Sequence, residues 1–236
     1  MTTKSKRVFK IITGIIIFLT LPSLLLFGYI FFKYNEDLPT GVSGEKADLL
    51  AHKMLNSLNY EAYKNTNYIV WDFKNRHHYE WQKQDNICDV YWKEFRVTLN
   101  LNNPELSKAY VHSFKVENDI AKELKEKALK YFYNDSFWLT APYTVFNKGT
   151  DRQLVGENSL LVTYNSGGDT PGDSYLWEID ETGKPISFKI WASILPIDGL
   201  EATWTDWTTT ETGAMLPTFH KLLFFGLDMD IIETSK

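Results

Sequence analysis

The sequence SYLWEIDETGKPISFKIW, residues 174–191, alternates apolar and polar side chains on both sides of a Thr-Gly turn. This period-two pattern predicts two antiparallel strands joined by a hairpin. Pairing Asp180 with Pro185 sets the register of the apolar side chains. The predicted pairs are Ile179 with Ile186, Trp177 with Phe188, and Tyr175 with Ile190. All six side chains share one face, so the sequence predicts a sheet with one apolar, largely aromatic face.

The next strand continues this face with Leu200, Ala202 and Trp204. A sheet with so many large rings on one side needs a cover, and the sequence leaves two alternatives open. The protein's own helices can fill the face, or the face is the floor of a pocket, since ligand pockets are mostly apolar. Under the second alternative the ligand-binding residues are Tyr175, Trp177, Phe188, Ile190 and Trp204.

Two amphipathic helices and several further strands accompany the hairpin. We expect one helix over residues 45–58, capped by Ser43, and a second over residues 119–134, capped by Asn118. The apolar seam of the second helix is predicted to contain Ile120, Leu124, Ala128 or Leu129, and Phe132. Strands are predicted over residues 68–73, 77–81, 90–101, 159–164, 200–208, 221–225 and 230–233. The sequence therefore predicts an α+β fold, an antiparallel curved sheet or incomplete β-barrel with covering helices.

An uncharged run over residues 11–32 precedes this domain. As a helix it is long enough to cross a hydrocarbon core of roughly 30 Å. A cleaved signal peptide is the alternative, but its apolar region would cover only about 7–15 residues and end at a small-residue cleavage site. The longer run favours an uncleaved anchor. We expect a cytoplasmic tail (1–10), a transmembrane helix (11–33), a linker (34–44) and an extracytoplasmic domain (45–236).

Charge is distributed unevenly along the chain. Residues 1–33 hold five basic side chains and no acidic one, whereas the remainder holds 20 basic and 30 acidic side chains and all eight Trp. The positive-inside rule then places the N-terminus in the cytoplasm and the domain in the periplasm, at the inner membrane. The acidic balance argues against a nucleic-acid partner. A single cysteine, Cys88, excludes an intramolecular disulfide and a cysteine-cluster metal site.

Loose motifs follow the second helix. They are FWLTAPY at residues 137–143, Gly168-Asp169-x-Pro171-x-Asp173-x-Tyr175, and Leu216-Pro217. With the order of segments, they make residues 45–233 resemble the lipoprotein-carrier (LolA-like) superfamily. The resemblance implies an incomplete antiparallel β-barrel, helices in or over its mouth, and a hydrophobic cavity for acyl chains. Because this chain is expected to be tethered and has no lipobox, the resemblance does not extend to lipoprotein delivery, and no binding residue is carried over.

Signals for catalysis, metal binding or cofactor binding are missing from the sequence. The five histidines lack a metal-ligand spacing, and the adjacent His77 and His78 are expected at an exposed tip, pointing to opposite faces. The Asp169/Asp173 and Asp228/Asp230 pairs are typical of turns. We therefore expect no enzyme, no cofactor and no metal. The expected function is binding of an apolar or lipid ligand, and the alternative is an envelope protein–protein interaction module with a filled core.

Overall fold

The computed structural model describes residues 3–166 and 171–236, and Gly168 and Asp169 of the carrier-like motif lie outside them. The helices are α1 (Thr3–Tyr34), α2 (Glu45–Ser57), α3 (Tyr60–Lys64) and α4 (Asp119–Thr140), with 3-10 turns at Pro104–Leu106 and Ala141–Thr144. The strands are β1 (Tyr68–Phe73), β2 (His77–Gln82), β3 (Ile87–Trp92), β4 (Phe95–Asn100), β5 (Lys108–Val111), β6 (Phe114–Val116), β7 (Thr150–Val155), β8 (Ser159–Tyr164), β9 (Ser174–Ile179), β10 (Pro185–Trp191), β11 (Leu200–Thr203), β12 (Asp206–Thr209), β13 (Met215–Leu222) and β14 (Phe225–Ser235).

These strands form one antiparallel sheet with the order β6-β5-β4-β3-β2-β1-β14-β13-β11-β10-β9-β8-β7, and β12 lies beside β13. The sheet is curved but does not close, since β6 and β7 stand at opposite ends of the order. The α+β class and the curved antiparallel sheet are therefore confirmed. Strands β5, β6 and β7 are additions that the sequence pattern did not predict.

The β9–β10 hairpin confirms most of the predicted register. Trp177 lies opposite Phe188, and Tyr175 lies opposite Ile190. The predicted pair of Ile179 with Ile186 is wrong, because Ile179 pairs with Pro185 and a bulge follows before Ser187. A bulge adds one residue to a strand and redirects its side chain. Ile186 is accordingly 42% exposed.

Several predicted strands are divided or displaced. Residues 90–101 contain two strands, β3 and β4, joined by Lys93 and Glu94. Residues 200–208 likewise contain β11 and β12. The strand predicted over 221–225 is wrong, because the chain turns at Leu223, which has a φ of 56°. The strand predicted over 230–233 is the middle of the longer β14.

Helix ends and faces also differ from expectation. Gly44, not Ser43, occupies the N-cap of α2, and no side chain caps that helix. Asn118 is the N-cap residue of α4 as predicted, although its side chain makes no capping hydrogen bond. Helix α4 runs on to Thr140, and its seam is wrong at Ile120, which is 50% exposed. The buried side of α4 contains Ala121, Leu124, Ala128, Phe132, Asp135, Ser136, Leu139 and Thr140.

Helix α4 packs against β4, β5 and β13 on one side of the sheet, which we call the inner face. Rings from both halves of the sheet are buried there. Trp71, Tyr79, Trp177, Phe188 and Trp204 are all 0% exposed. Cys88 belongs to the same core and is also fully buried. The inner face therefore holds the main hydrophobic core, which α4 covers together with α2, whose buried side chains belong to the same core.

The N-terminal helix α1 is separate from this core. Its segment Lys6–Tyr34 is long and apolar enough to cross a membrane, and its most apolar window is not buried against the rest of the chain. Residues 35–44, however, do not form a free linker. The Glu36 N–H donates to the Asp198 oxygen (3.1 Å), the Trp191 indole donates to the Glu36 oxygen (2.8 Å), and Val42 pairs with Leu154 of β7. The segment is thus attached to the sheet along its course.

The point where α1 joins the domain defines one rim of the sheet. The connections β1–β2, β3–β4, β5–β6, β10–β11 and β13–β14 all lie at the same ends of their strands, because every neighbouring pair is antiparallel. We call this the anchor rim, since Asn35 and Glu36 bind Asp198 of the β10–β11 connection. The β2–β3, β7–β8 and β9–β10 turns lie at the opposite rim.

Candidate functional site

The five residues predicted to bind a ligand lie together on the inner face. Trp177 contacts both Phe188 and Trp204, with ring centroids 4.9 Å apart in each case. The Tyr175 ring lies 5.4 Å from Phe188, and Ile190 is 4% exposed. Cross-strand pairing on neighbouring β9, β10 and β11 accounts for this cluster. We call Tyr175, Trp177, Phe188, Ile190 and Trp204 the aromatic floor.

Helix α4 covers the aromatic floor with rings of its own. Phe137 lies 4.6 Å from Tyr175, and Trp138 lies 5.5 Å from Phe188, measured between ring centroids. Phe188 is fully buried against this layer, and Trp177 and Trp204 beside it are fully buried as well. The floor is therefore occupied by protein side chains in this structure.

A second aromatic group lies on the inner face of β1, β2 and β3. The Trp71 ring stacks on Tyr79 at 4.5 Å, the Trp81 ring lies 5.3 Å from Phe132, and the Trp92 ring lies 5.6 Å from Tyr131. Phe132 and Tyr131 belong to α4. One helix thus covers aromatic rings from both halves of the sheet.

The tryptophans on this face have an unusual feature. The indole nitrogens of Trp71, Trp81, Trp92, Trp177 and Trp204 are buried and have no hydrogen-bond partner among residues 3–166 and 171–236. A buried N–H donor without an acceptor costs roughly 1–3 kcal/mol relative to its hydrated state. Contact with neighbouring ring faces offsets a part of this cost. The inner face therefore presents donors that the protein itself does not satisfy.

A buried carboxylate joins α4 to the sheet. Asp135 is 1% exposed, and its Oδ2 accepts hydrogen bonds from the Tyr79 hydroxyl (2.5 Å) and from His77 Nδ1 (2.6 Å). The Asn134 amide donates to its Oδ1 (2.7 Å). Burial and the Asp135 charge raise the pKa of the Tyr79 hydroxyl far above its usual range, so Tyr79 stays a donor. This arrangement fixes the middle of α4 against β2.

A buried histidine joins the end of α4 to β13. Both ring nitrogens of His220 lie 2.7 Å from a backbone oxygen, Nδ1 from that of Thr203 and Nε2 from that of Trp138. Burial lowers the pKa of His220 to about 4, although both backbone contacts act in the opposite direction. The ring is therefore neutral at pH 7 and donates through only one nitrogen.

A cavity of about 290 Å³ opens where the β1–β2 and β3–β4 connections meet. Its lining includes Arg76, His77, His78, Trp92 and Lys93. Carboxylates hold both imidazoles, because His77 binds Asp135 and His78 Nδ1 lies 2.6 Å from Asp72 Oδ1. The expectation of exposed or tip residues holds for their place directly after the β1–β2 turn, but exposure is wrong for His77, whose side chain is only 16% exposed. Within residues 3–166 and 171–236, no group of three His, Cys, Asp or Glu side chains is arranged to hold a metal ion.

Sequence reasoning found the floor and offered the protein's own helices as its cover, but it missed the polar contacts between them. Asp135 carried a readable signal, because it continues the spacing of Ala128 and Phe132 along the apolar stripe of α4. A carboxylate on such a stripe must find a partner when it is buried. The partners His77 and Tyr79 lie on β2, too distant in sequence for any local pattern to pair them with Asp135.

Comparison of the chain with protein-family models and with curated proteins gave no match. The assignment of function therefore depends on the geometry of the inner face and of the anchor rim.

Proposed function

We propose that this chain is a single-pass inner-membrane protein whose periplasmic domain binds an apolar or lipid ligand. The ligand lies between helix α4 and the aromatic floor of a half-barrel sheet, and the function is binding without catalysis. Helix α1 is the anchor, with the basic residues Lys4, Lys6, Arg7 and Lys10 on the cytoplasmic side. Glu36 and Asp37 follow the span on the periplasmic side.

The unpaired indole donors carry this proposal. Five buried N–H groups, none with an acceptor in the described part of the chain, belong to tryptophans of the inner face. A core that is permanently filled has no reason to keep that many, since each one reduces stability. A ligand with ester or carboxyl oxygens beside an apolar chain would pair several of these donors. Its chain would at the same time replace the contacts that the floor makes with Phe137 and Trp138.

The cover is suited to displacement. The outer side of α4 is polar and carries Lys122, Glu123, Lys125, Glu126 and Lys130. This side can stay in contact with water when the helix moves. Defined polar contacts hold it to the sheet, at Asp135 and at His220. The resemblance of residues 45–233 to lipoprotein carriers supports the same proposal, because it implies an acyl cavity under helices.

An envelope protein–protein interaction module with a filled core is the second candidate. The observation that favours it is the complete burial of Trp177, Phe188 and Trp204 in this structure. Under this alternative α4 never leaves the floor, and protein partners bind elsewhere on the domain.

Photocrosslinking separates the two candidates. The full chain is reconstituted in liposomes that contain a phospholipid with a diazirine in its acyl chain, irradiated, and mapped by peptide mass spectrometry. We expect adducts on α1, which serve as the internal positive signal, and also on the inner-face residues of β9, β10 and α4. The matched outer-face residues of β10, Ser187 and Lys189, should stay free of adducts.

Adducts on α1 with none on the inner face would contradict ligand binding and favour the interaction module. Equal labelling of Phe188 and Lys189 would also contradict it, because it would indicate unspecific contact of β10 with lipid rather than a site under α4.

A further inference from the structure

The end of α1 is held at the anchor rim within two residues of the helix. The Asn35 N–H still donates to the Phe31 oxygen, and the Glu36 N–H donates to the Asp198 oxygen. The Asp198 N–H in turn donates to the Asn35 side chain (3.1 Å). Gly199 allows this close approach, because a Cβ at that position would lie 2.9 Å from Cβ of Glu36. The rim is therefore fixed immediately above the point where α1 ends.

Exposed apolar side chains lie at this rim. Phe224 and Phe225, in and after the β13–β14 turn, are 64% and 54% exposed, and Ile194 of the β10–β11 connection is 72% exposed. The positive φ of Leu223 (56°) forms the turn that presents the two phenylalanines. At roughly 4.8 Å per strand, the two connections are about 10 Å apart. Outside α1, the exposed Phe residues within the described chain are Phe114, Phe224 and Phe225, and all three lie at the anchor rim.

Basic side chains continue the rim beyond the phenylalanines. Arg76 of the β1–β2 connection and Lys93 of the β3–β4 connection are both exposed, in a domain that is acidic as a whole. Tyr29 and Tyr34, at the other side of the junction, lie at the end of the apolar helix, as is typical of the interface between lipid and water. Aromatic and basic groups next to an apolar helix end match the headgroup layer of a bilayer.

We propose that the anchor rim is a membrane-contacting surface. Ile194, Phe224 and Phe225 enter the headgroup layer of the bilayer that α1 spans, and Arg76 and Lys93 face its phosphates. This inference rests on the anchoring by α1 proposed above. It adds an orientation, in which the strands rise from the membrane and the opposite rim, with the β9–β10 turn, points away from it. A lipid leaving the bilayer would then reach the domain at the rim.

A single-cysteine fluorescence experiment tests the orientation. The full chain with Cys88→Ala carries either Phe224→Cys at the anchor rim or Thr182→Cys in the β9–β10 turn, and each is labelled with a polarity-sensitive dye. Ile194→Cys is a second anchor-rim position in case Phe224→Cys disturbs the turn. The proteins are reconstituted in liposomes with anionic lipid, recovered by flotation, and quenched with headgroup nitroxide lipids.

We expect at least twofold stronger quenching at positions 224 and 194 than at position 182, independent of the protein-to-lipid ratio. Equal quenching at both rims, or stronger quenching at 182, would overturn the orientation. A blue shift at 224 without nitroxide quenching would also overturn it, since the rim would then be covered by a protein or a second copy. A chain that fails to float would overturn the anchoring and this inference together. If the chain floats but the photocrosslinking experiment gives no adducts on the inner face, ligand binding is contradicted and the orientation proposed here is not.

Discussion

His77 Nδ1 lies 2.6 Å from Oδ2 of Asp135, and this contact joins a strand of the sheet to the helix that covers it. The Tyr79 hydroxyl donates to the same carboxylate oxygen. A buried carboxylate with two donors from one strand positions the helix more strictly than apolar contacts, which tolerate sliding. Asp135 and two side chains of β2 therefore fix the middle of α4, and His220 fixes its end.

Asp135→Asn should destabilise the domain by about 1–3 kcal/mol, because the new NH2 group must face either the Asn134 amide donor at Oδ1 or the Tyr79 and His77 donors at Oδ2. Guanidinium unfolding of the full chain in detergent, followed by tryptophan fluorescence, measures the loss. Asp72→Asn is the matched control. Its pair with His78 is about one-third exposed, so the expected loss is below about 1 kcal/mol. Equal losses for the two variants would contradict the role assigned to Asp135.

Acid should destabilise the domain through His220. Its folded pKa is about 4 and lies below the unfolded value near 6.5, so the unfolded chain binds more protons between these pH values. Stability should thus fall as pH drops through this window, by about 2 kcal/mol between pH 7 and pH 5. Unfolding curves at both pH values measure the change.

His220→Gln isolates this contribution, since other groups titrate equally in both proteins. The variant should lose about 2 kcal/mol less than the wild type between pH 7 and pH 5. If the wild type instead gains stability in acid relative to His220→Gln, the imidazolium donates to both backbone oxygens and His220 is charged in the folded protein.

Trp177→Ala should cost about 3–5 kcal/mol of unfolding free energy, as expected for a large ring fully buried between two others. Denaturant unfolding of the full chain measures it. A clearly smaller loss, with reduced lipid adducts on the inner face, would show that the ring lines an open cavity in solution.

Phe137→Ala should increase binding of an apolar probe, because it removes the ring of α4 nearest Tyr175 on the floor. Titration with a fluorescent fatty acid measures the apparent affinity, for which we expect a severalfold gain. Phe146→Ala is the matched control. Its ring is equally half-buried but stacks on His52, away from the floor. A similar gain in both variants would indicate general loosening rather than an opened site.

Gly199→Ala should loosen the junction between α1 and the rim, since its Cβ would meet Glu36 and its φ of 78° disfavours alanine. Limited proteolysis within residues 35–44 should accelerate severalfold. Gly156→Ala has a comparable φ of 62° but no atom within 4 Å of the new Cβ. It should leave the cleavage rate unchanged, and acceleration in both would assign the effect to global strain.

The sequence predicted the parts of this fold that depend on local alternation. Tyr175, Trp177, Phe188 and Ile190 pair as expected, because a strand has period two and the turn fixes its register. The bulge after Pro185 escaped prediction, since no local signal distinguishes an inserted residue from a paired one. At Lys93 a signal existed and was missed. Val90 and Trp92 are buried at even positions and Val97 and Leu99 at odd ones, which marks a two-residue turn between them.

The sequence predicted the residues of the aromatic floor but not the contacts that α4 makes with it. The floor is local to one hairpin and its neighbour, whereas its cover requires knowing where α4 lands on a sheet of fourteen strands. The His77–Asp135 and His220–Trp138 contacts join residues 58 and 82 positions apart, so only the folded chain brings them together.

The segment that follows α1 also pairs with an edge strand. Val42 pairs with Leu154 along the free edge of β7, which is the last strand of the open sheet. Without residues 35–44, the backbone groups of Leu154 would be open to a neighbouring chain, which is how sheet edges pair and aggregate. A protease that cut the domain from α1 and trimmed this segment would therefore lengthen the open edge of β7. Separation from α1 and a greater tendency to self-associate would then be one event.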